Sequence, residues 1–203
     1  MTDTISVQTF TGEELSKFIP AVAQLRIEVF RDFPYLYDGN REYEDRYLKR
    51  YIESQDSVIA IAFDGDEVIG ASTAIPLRHE SDYILKPFLD SAIDPDDVFY
   101  LGESVLKKNY RGRGIGVRFF EERERHAKHL GGFRCIAFCA VERPLDHPNR
   151  PRDYVPLDEF WRHRGYEKDN KLKAVFKWKD LNDQQETEKS MVFWLKWRQD
   201  DNE

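Results

Sequence analysis

The spacing of apolar positions changes period several times along the chain, and each change marks an element. Residues 5–10 (ISVQTF) alternate apolar and polar, the period of a strand. Leu15, Phe18, Ile19, Val22, Leu25 and Val29 then recur at helical spacing. Thr11 and Glu14 fit a capping box at its start, and Pro20 inside the pattern predicts a kink or two helices meeting there. An aromatic loop covers 33–40, and Tyr43, Tyr47, Leu48, Tyr51 and Ile52 mark a second amphipathic helix. Residues 57–63 and 68–75 read as strands joined by the turn Asp64-Gly65-Asp66-Glu67. After a less regular stretch, 76–97, comes a strand over 98–106. Ile115, Phe119, Ala127 and Leu130 define a helix closed by Gly131-Gly132. A strand over 134–141, a long polar loop over 142–156, a short helix over 157–164 and strands at 172–178 and 191–197 complete the chain.

The order β-α-α-β-β-β-α-β-α-β-β contains a single strand–helix–strand unit. It predicts one parallel pair within a mixed, mostly antiparallel sheet of an α/β fold. Length alone, 203 residues, allows one large domain or two small ones. The element order leaves no boundary between two cores, so one domain over 1–203 is expected, with its core at about 5–197.

Composition narrows the function classes. No run approaches the roughly 18–20 apolar residues of a membrane span. The start Met1-Thr2-Asp3-Thr4 has neither the basic nor the apolar region of a signal peptide. Thirty-eight acids against 31 bases give a net charge of −7, which argues against nucleic acid as a partner. Cys135 and Cys139 lie four apart on one strand, about 13 Å. That exceeds the roughly 7 Å a disulfide tolerates. Two small buried residues in a reducing compartment are expected, and with the other signals a cytoplasmic protein. His126 and His129 lack further ligands at metal spacing, so no metal is expected. Residues 121–125 (EERER) read as a solvated helix face with local ion pairs.

The chemistry concentrates in Tyr110-Arg111-Gly112-Arg113-Gly114-Ile115-Gly116, between a strand and a helix. Glycines at a helix start let the backbone approach a ligand and leave N–H groups pointing outward. The helix N-terminus and two arginines add positive charge, which suits a pyrophosphate. A dinucleotide-binding fingerprint would follow the first strand of a βαβ series, and none is present. Gly65-Asp66-Glu67-Val68-Ile69-Gly70-Ala71-Ser72 lacks the lysine of a Walker loop.

Arg111-x-x-Gly114-x-Gly116 resembles the Arg/Gln-x-x-Gly-x-Gly/Ala motif of the GNAT superfamily of acyl-CoA N-acyltransferases. The order of elements is similar to that family over about residues 5–197. Phe160-Trp161-Arg162-His163-Arg164-Gly165-Tyr166 is similar to its "fYeklGF" segment. The resemblance implies acetyl-CoA, or another acyl-CoA, as donor and a small-molecule amine as acceptor, joined by direct attack in a ternary complex. By position, the amides of Arg113, Gly114, Gly116 and Val117, with Ile115 among them, would hold the pyrophosphate, and Arg111 and Gly112 would shape the loop. Leu106 and Lys108 fall where the family's "V-x-P" pair precedes the motif, Lys108 replacing the proline. Pantetheine would run in a splay between the 98–106 and 134–141 strands. An N–H near Val105 or Leu106 would polarise the thioester carbonyl.

Proton transfer needs a base and, where the thiolate is assisted, an acid. Glu103 interrupts an apolar strand before the donor-binding segment. Flanked by Tyr100, Leu101 and Val105, it is expected to have a raised pKa and to serve as base; the alternatives are a carboxylate on the solvent face or one that satisfies a nearby arginine. Trp161 stands where the family has its tyrosine acid, and an indole cannot replace a phenol in that role. Tyr154 is the substitute acid, and His147 beside Asp146 an alternative base. Tyr35 and Tyr37 in the aromatic loop are expected to line the acceptor pocket. The missing phenol also leaves open a non-catalytic acyl-CoA sensor, and an open groove would suit a peptide or protein acetyltransferase. Edges near the last strands point to a homodimer.

Overall fold

The computed structural model describes residues 5–198. The leader reading at Met1–Thr4 lies outside them. The first strand, β1 (Ile5–Phe10), leads into a 3-10 turn over Gly12–Lys17. Thr11 makes no side-chain cap there, so the expected capping box does not form: a 3-10 turn does not present the amides of a full α-helical turn. The long helix, α1 (Ile19–Phe30), begins afresh with Pro20 in its first turn, where a missing N–H costs nothing. The proline therefore marks two helices meeting. In α2 (Arg41–Glu53) the Asn40 side chain accepts from Tyr43 N–H at 3.0 Å and caps the helix.

The hairpin β2 (Val58–Asp64) and β3 (Glu67–Pro76) forms as expected. Within the stretch read as irregular lies a helix, α3 (Asp82–Leu89). It is eight residues long, buries only Ile84 and Phe88 and contains Pro87, too little for periodicity to reveal. The remaining elements are β4 (Val98–Leu106), α4 (Ile115–Leu130), β5 (Cys135–Val141), α5 (Asp158–Arg162), β6 (Glu167–Trp178) and β7 (Thr187–Trp197). The last two strands start earlier than their apolar runs. Pairing such as Glu167↔Leu195 and Trp178↔Thr187 extends the ladder through polar residues.

One seven-stranded sheet results, ordered β1-β2-β3-β4-β5-β7-β6, and only β4 and β5 pair in parallel. Helices cover both faces. Leu15, Val22, Leu48, Tyr51 and Phe88 pack with Ile59, Ile61 and Phe193 on one. On the other, Phe120 and Ala127 of α4 pack with Phe99, Phe133 and Trp194. Cys135 and Cys139 are free, buried and on the first face. Burial pushes both thiols up to about 12, so neither supplies a thiolate near neutrality.

Candidate active site

The parallel pair is short. Val98↔Cys135, Phe99↔Ile136 and Tyr100↔Ala137 are in register, and past Tyr100 the strands part. On its other side β4 bulges: Gly102 and Glu103 together oppose Thr73, between the pairs Ala74↔Leu101 and Ser72↔Ser104. Glu103 N–H donates to Thr73 Oγ1 at 3.3 Å instead of to a strand carbonyl. Gly102 is obligatory, because a Cβ there would collide with the Tyr51 and Thr73 hydroxyls. Further along, Lys107 N–H donates to Ile69 C=O at 3.0 Å. Antiparallel alternation therefore turns the Val105 amide to β3 and the Ser104 and Leu106 amides to the open side.

The gap between the strands is part of a cleft of roughly 1830 Å³. Ligand pockets usually hold about 300–1,000 Å³, so this one has room for two substrates. One end is the glycine-rich turn. Gly112 and Gly114 both have φ of +79°, a conformation open to glycine at little cost, and a Cβ on either would meet nothing. Gly114 precedes α4 without any side-chain cap. The first amide of the helical ladder is Arg118 N–H, donating to Gly114 C=O at 3.2 Å. The amides of Ile115, Gly116 and Val117 thus lie among the four that a helix start leaves without a helical partner. Orphan donors beside open space fit a pyrophosphate. Arg111 lies over the turn, its Nε donating to Leu106 C=O at 3.3 Å.

At the other end sits Glu103, buried although it interrupts a strand. Its Oε2 receives Tyr47 Oη at 2.8 Å and the Arg26 guanidinium at 2.6 Å. Arg26 also bonds Glu44 and stacks over the Tyr47 ring at 4.1 Å. One buried positive charge therefore stands between two buried carboxylates. Among the described residues, no hydrogen bond reaches the buried Glu103 Oε1 or Glu44 Oε1. From α4, Arg123 donates to the carbonyls of Thr73 and Glu103, each at 3.2 Å, and to Ser104 Oγ at 2.9 Å. It clamps the bulge that aims Glu103. Around this end stand Phe33, Tyr35, Tyr37, Tyr43, Tyr154 and Trp178.

A model of the Acetyltransferase (GNAT) family matches residues 22–151. The chain belongs to the GNAT family. No match was found among curated proteins. Among solved structures, the fold is similar to ribosomal-protein-alanine N-acetyltransferase from Brucella melitensis: 13% identity, 95% of this chain and 99% of that one, TM-score 0.60. It is also similar to Arabidopsis thaliana NAA60 in complex with acetyl-CoA, with 16% identity, 96% and 98% coverage and TM-score 0.59. An acetyltransferase from Thermus thermophilus shares the fold at 13% identity, 96% and 97% coverage and TM-score 0.57. At these identities the likeness is one of fold.

On this GNAT scaffold the residues singled out from sequence fall into two groups. Glu103, Leu106, Lys108, Arg111, Gly112, Gly114, Gly116, Val117, Tyr35, Tyr37 and Tyr154 line one cleft. The side chains of Val105, Ile115, Arg113 and His147 turn elsewhere, which leaves the Arg113 and Ile115 amides at the glycine-rich turn. Val105 and Ile115 point their side chains into the core. Arg113 turns back to Asn109 C=O at 3.3 Å and over the Tyr110 ring. His147 packs beside Phe33 and accepts the Asn149 amide on Nδ1 at 3.2 Å, which occupies the nitrogen a base would use. Trp161 packs against Phe138 and Trp194, as a residue of the cleft wall. Tyr166 is a core aromatic whose hydroxyl donates to Glu124 at 2.8 Å.

Three charged residues of the site escape a reading by residue type. Arg123 is buried, so the 121–125 run is not wholly a solvated face; only Glu122–Arg125 matches the expected local pair. Yet Arg123 lies four residues from both Phe119 and Ala127, on the core stripe of α4. Arg26 follows Val22 in the same way, and Glu44 precedes Tyr47, Leu48 and Tyr51. A charge on an apolar stripe was the available signal.

Proposed function

We propose that the chain is an N-acetyltransferase that moves the acetyl group of acetyl-CoA to the primary amine of a small molecule, both substrates sharing the cleft. The observation that carries this reading is the joining, in one cleft, of the residues that start α4 with orphan amides and the buried Glu103 carboxylate. Bound acetyl-CoA supplies a thioester whose carbonyl carbon the amine attacks. The amides around Gly114, Gly116 and Val117 hold its pyrophosphate, with Arg111 beside them. The Ser104 and Leu106 amides, turned to the splay, meet the charge that develops on the carbonyl oxygen. The Glu103 carboxylate takes the proton of the incoming ammonium. That ammonium also completes the charge count, because Arg26 alone faces Glu44 and Glu103. Aromatic walls suit an amine with an apolar body. Tyr154 is the donor to the departing thiolate; burial raises its pKa, so it carries its proton at neutral pH.

Among the described residues no helix is long and apolar enough to cross a membrane. The two free thiols suit a reducing, cytoplasmic setting. β1 and β6 end the sheet, where a second copy would pair. The place of Trp161 favours a second reading, an acyl-CoA sensor without catalysis.

The test combines binding with turnover. Gly114→Glu puts a carboxylate in the pyrophosphate cradle and is expected to abolish saturable acetyl-CoA binding in calorimetry. Undiminished binding would remove the cradle. Thiol release with 2-phenylethylamine, butylamine, spermidine and a peptide with a free N-terminus separates the readings. Silence with all four, alongside tight binding, favours the sensor, and preference for the peptide displaces the small-molecule acceptor.

A further inference from the structure

Glu103 stands at one end of a buried row of hydroxyls. Tyr47 Oη donates to its Oε2 at 2.8 Å, and the Tyr47 and Tyr51 hydroxyl oxygens lie 3.2 Å apart. Tyr51 Oη donates to Glu80 Oε1 at 3.2 Å. Glu80 Oε2 accepts from Arg50 Nη1 at 2.5 Å, Ser81 N–H at 2.9 Å and Ser81 Oγ at 3.3 Å. Tyr47 and Tyr51 are one turn apart on α2 and so share a face. Tyr47, Tyr51, Glu80 and Glu103 are all buried, and Tyr51 Oη presses against Gly102 with no room for a Cβ. Arg50 and Ser81, at the far end, are part-exposed. The row thus runs from Glu103 at the cleft to Glu80, where the part-exposed Arg50 and Ser81 meet it.

Counting hydrogens shows what it can do. Four groups leave three gaps. With both carboxylates ionised, the two phenolic hydrogens point to the carboxylates and the Tyr47–Tyr51 gap is empty. One added proton fills it. We propose that Tyr47, Tyr51 and Glu80 form a relay that carries the acceptor's proton out of the occupied cleft. The inference rests on Glu103 being the base.

The step balances as follows. The amine N–H bond breaks and its proton binds Glu103. A turn of the carboxyl group presents that hydrogen to Tyr47. Tyr47 takes it and passes its own to Tyr51, which passes its own to Glu80. Each phenol ends with one hydrogen, Glu103 is again ionised, and Glu80 holds the proton beside the part-exposed Ser81 and Arg50. Burial, with Glu103 near Tyr47 and Glu80 near Tyr51, raises both phenol pKa values, so the phenols act as carriers and not as anions. The charged groups that flank the row are Arg26 and Glu44 at Glu103 and Arg50 at Glu80, with Arg123 on the Glu103 carbonyl.

Tyr51→Phe keeps the ring and removes only the hydroxyl; Glu80→Gln keeps the shape of the end station. Both are measured in the full chain, with acetyl-CoA and an amine of the panel above. Each is expected to hold both KM values within about twofold and to lower kcat about tenfold or more. The proton inventory of kcat in H2O/D2O mixtures is expected to change from curved to linear. A structural role alone would not alter that inventory. Wild-type kcat and inventory in either variant, with Glu103→Gln inactive, would overturn the relay and leave the base in place. An unchanged pH–rate profile in Glu103→Gln, or no turnover of any panel amine by the wild type, would overturn both.

Discussion

At the scale of the residue, this protein is defined by charges kept out of water. Arg26 holds Glu44 and Glu103, and Arg123 holds the carbonyls of the bulge. A buried charge is tolerated only where such partners exist. His126 makes a related effect measurable. It lies half-buried on α4, bonded through Nε2 to Asp56 C=O at 3.0 Å, and burial lowers its pKa from 6.5. The unfolded chain therefore binds this proton more readily than the folded one. Its contribution to stability is fully present above about pH 6.5 and is lost as pH falls through the folded value. His126→Gln keeps a donor for Asp56 C=O and removes the titration. The drop in urea midpoint between about pH 7.5 and 5 is expected to be smaller in the variant. An equal drop in both proteins would refute the assignment. Among residues, Glu103 stood out because a lone carboxylate in an apolar strand breaks its pattern, and the structure pairs it with an arginine, one of the alternatives weighed for it. Its partners were not, since they come from helices distant in sequence.

At the scale of the element, two loops that form one wall of the cleft are tied by one side chain. Arg143 donates from Nε to Pro34 C=O and from Nη2 to Tyr35 C=O, each at 2.8 Å. It also grips Asp180 through two bonds at 2.8 and 2.9 Å. The 142–156 loop thus holds the aromatic loop, and Trp178 Nε1 adds a donor to Tyr35 C=O at 3.0 Å. Arg143→Met leaves two carbonyls without this donor and Asp180 with Lys189 alone at 3.4 Å. A loss of about 3 kcal/mol in unfolding free energy is expected, with faster proteolysis within residues 142–156. A loss below about 1 kcal/mol would show that the loops hold each other by other contacts. Elements with many apolar positions, such as β2, β3, β4 and α4, were legible. α3 and the outer halves of β6 and β7 were not, because their formation rests on pairing and docking.

At the scale of the molecule, the sheet is the shared wall of both helical layers. Phe193, fully buried on β7, meets Phe88 of α3 edge-on at 4.9 Å and Tyr100 of β4 at 6.5 Å between centroids. Phe193→Ala is expected to cost about 3–5 kcal/mol, through lost burial and the cavity left behind. Because both layers pack on one sheet, far-UV circular dichroism and tryptophan fluorescence are expected to report a single, coincident unfolding transition. Two separated transitions would mean that the layers fold independently. The same sheet decides where the cleft opens. Its one parallel pair parts after Tyr100, and the opening lies between the glycine-rich turn and the Glu103 bulge.

The sequence by itself determined the periodic elements, the single strand–helix–strand unit and the glycine-rich helix start. Each is a local pattern, readable within a few residues. It also singled out Glu103 as a charge in apolar company, but not Arg26, Glu44 or Arg123. Only the tertiary structure decided who meets them. Arg26 comes from α1, Glu44 and the two tyrosines from α2, Glu80 from the connection before α3, Glu103 from β4 and Arg123 from α4. Periodicity fixes the face on which a side chain lies. The partner of a buried charge is fixed by the packing of whole elements, and no local window of sequence contains it.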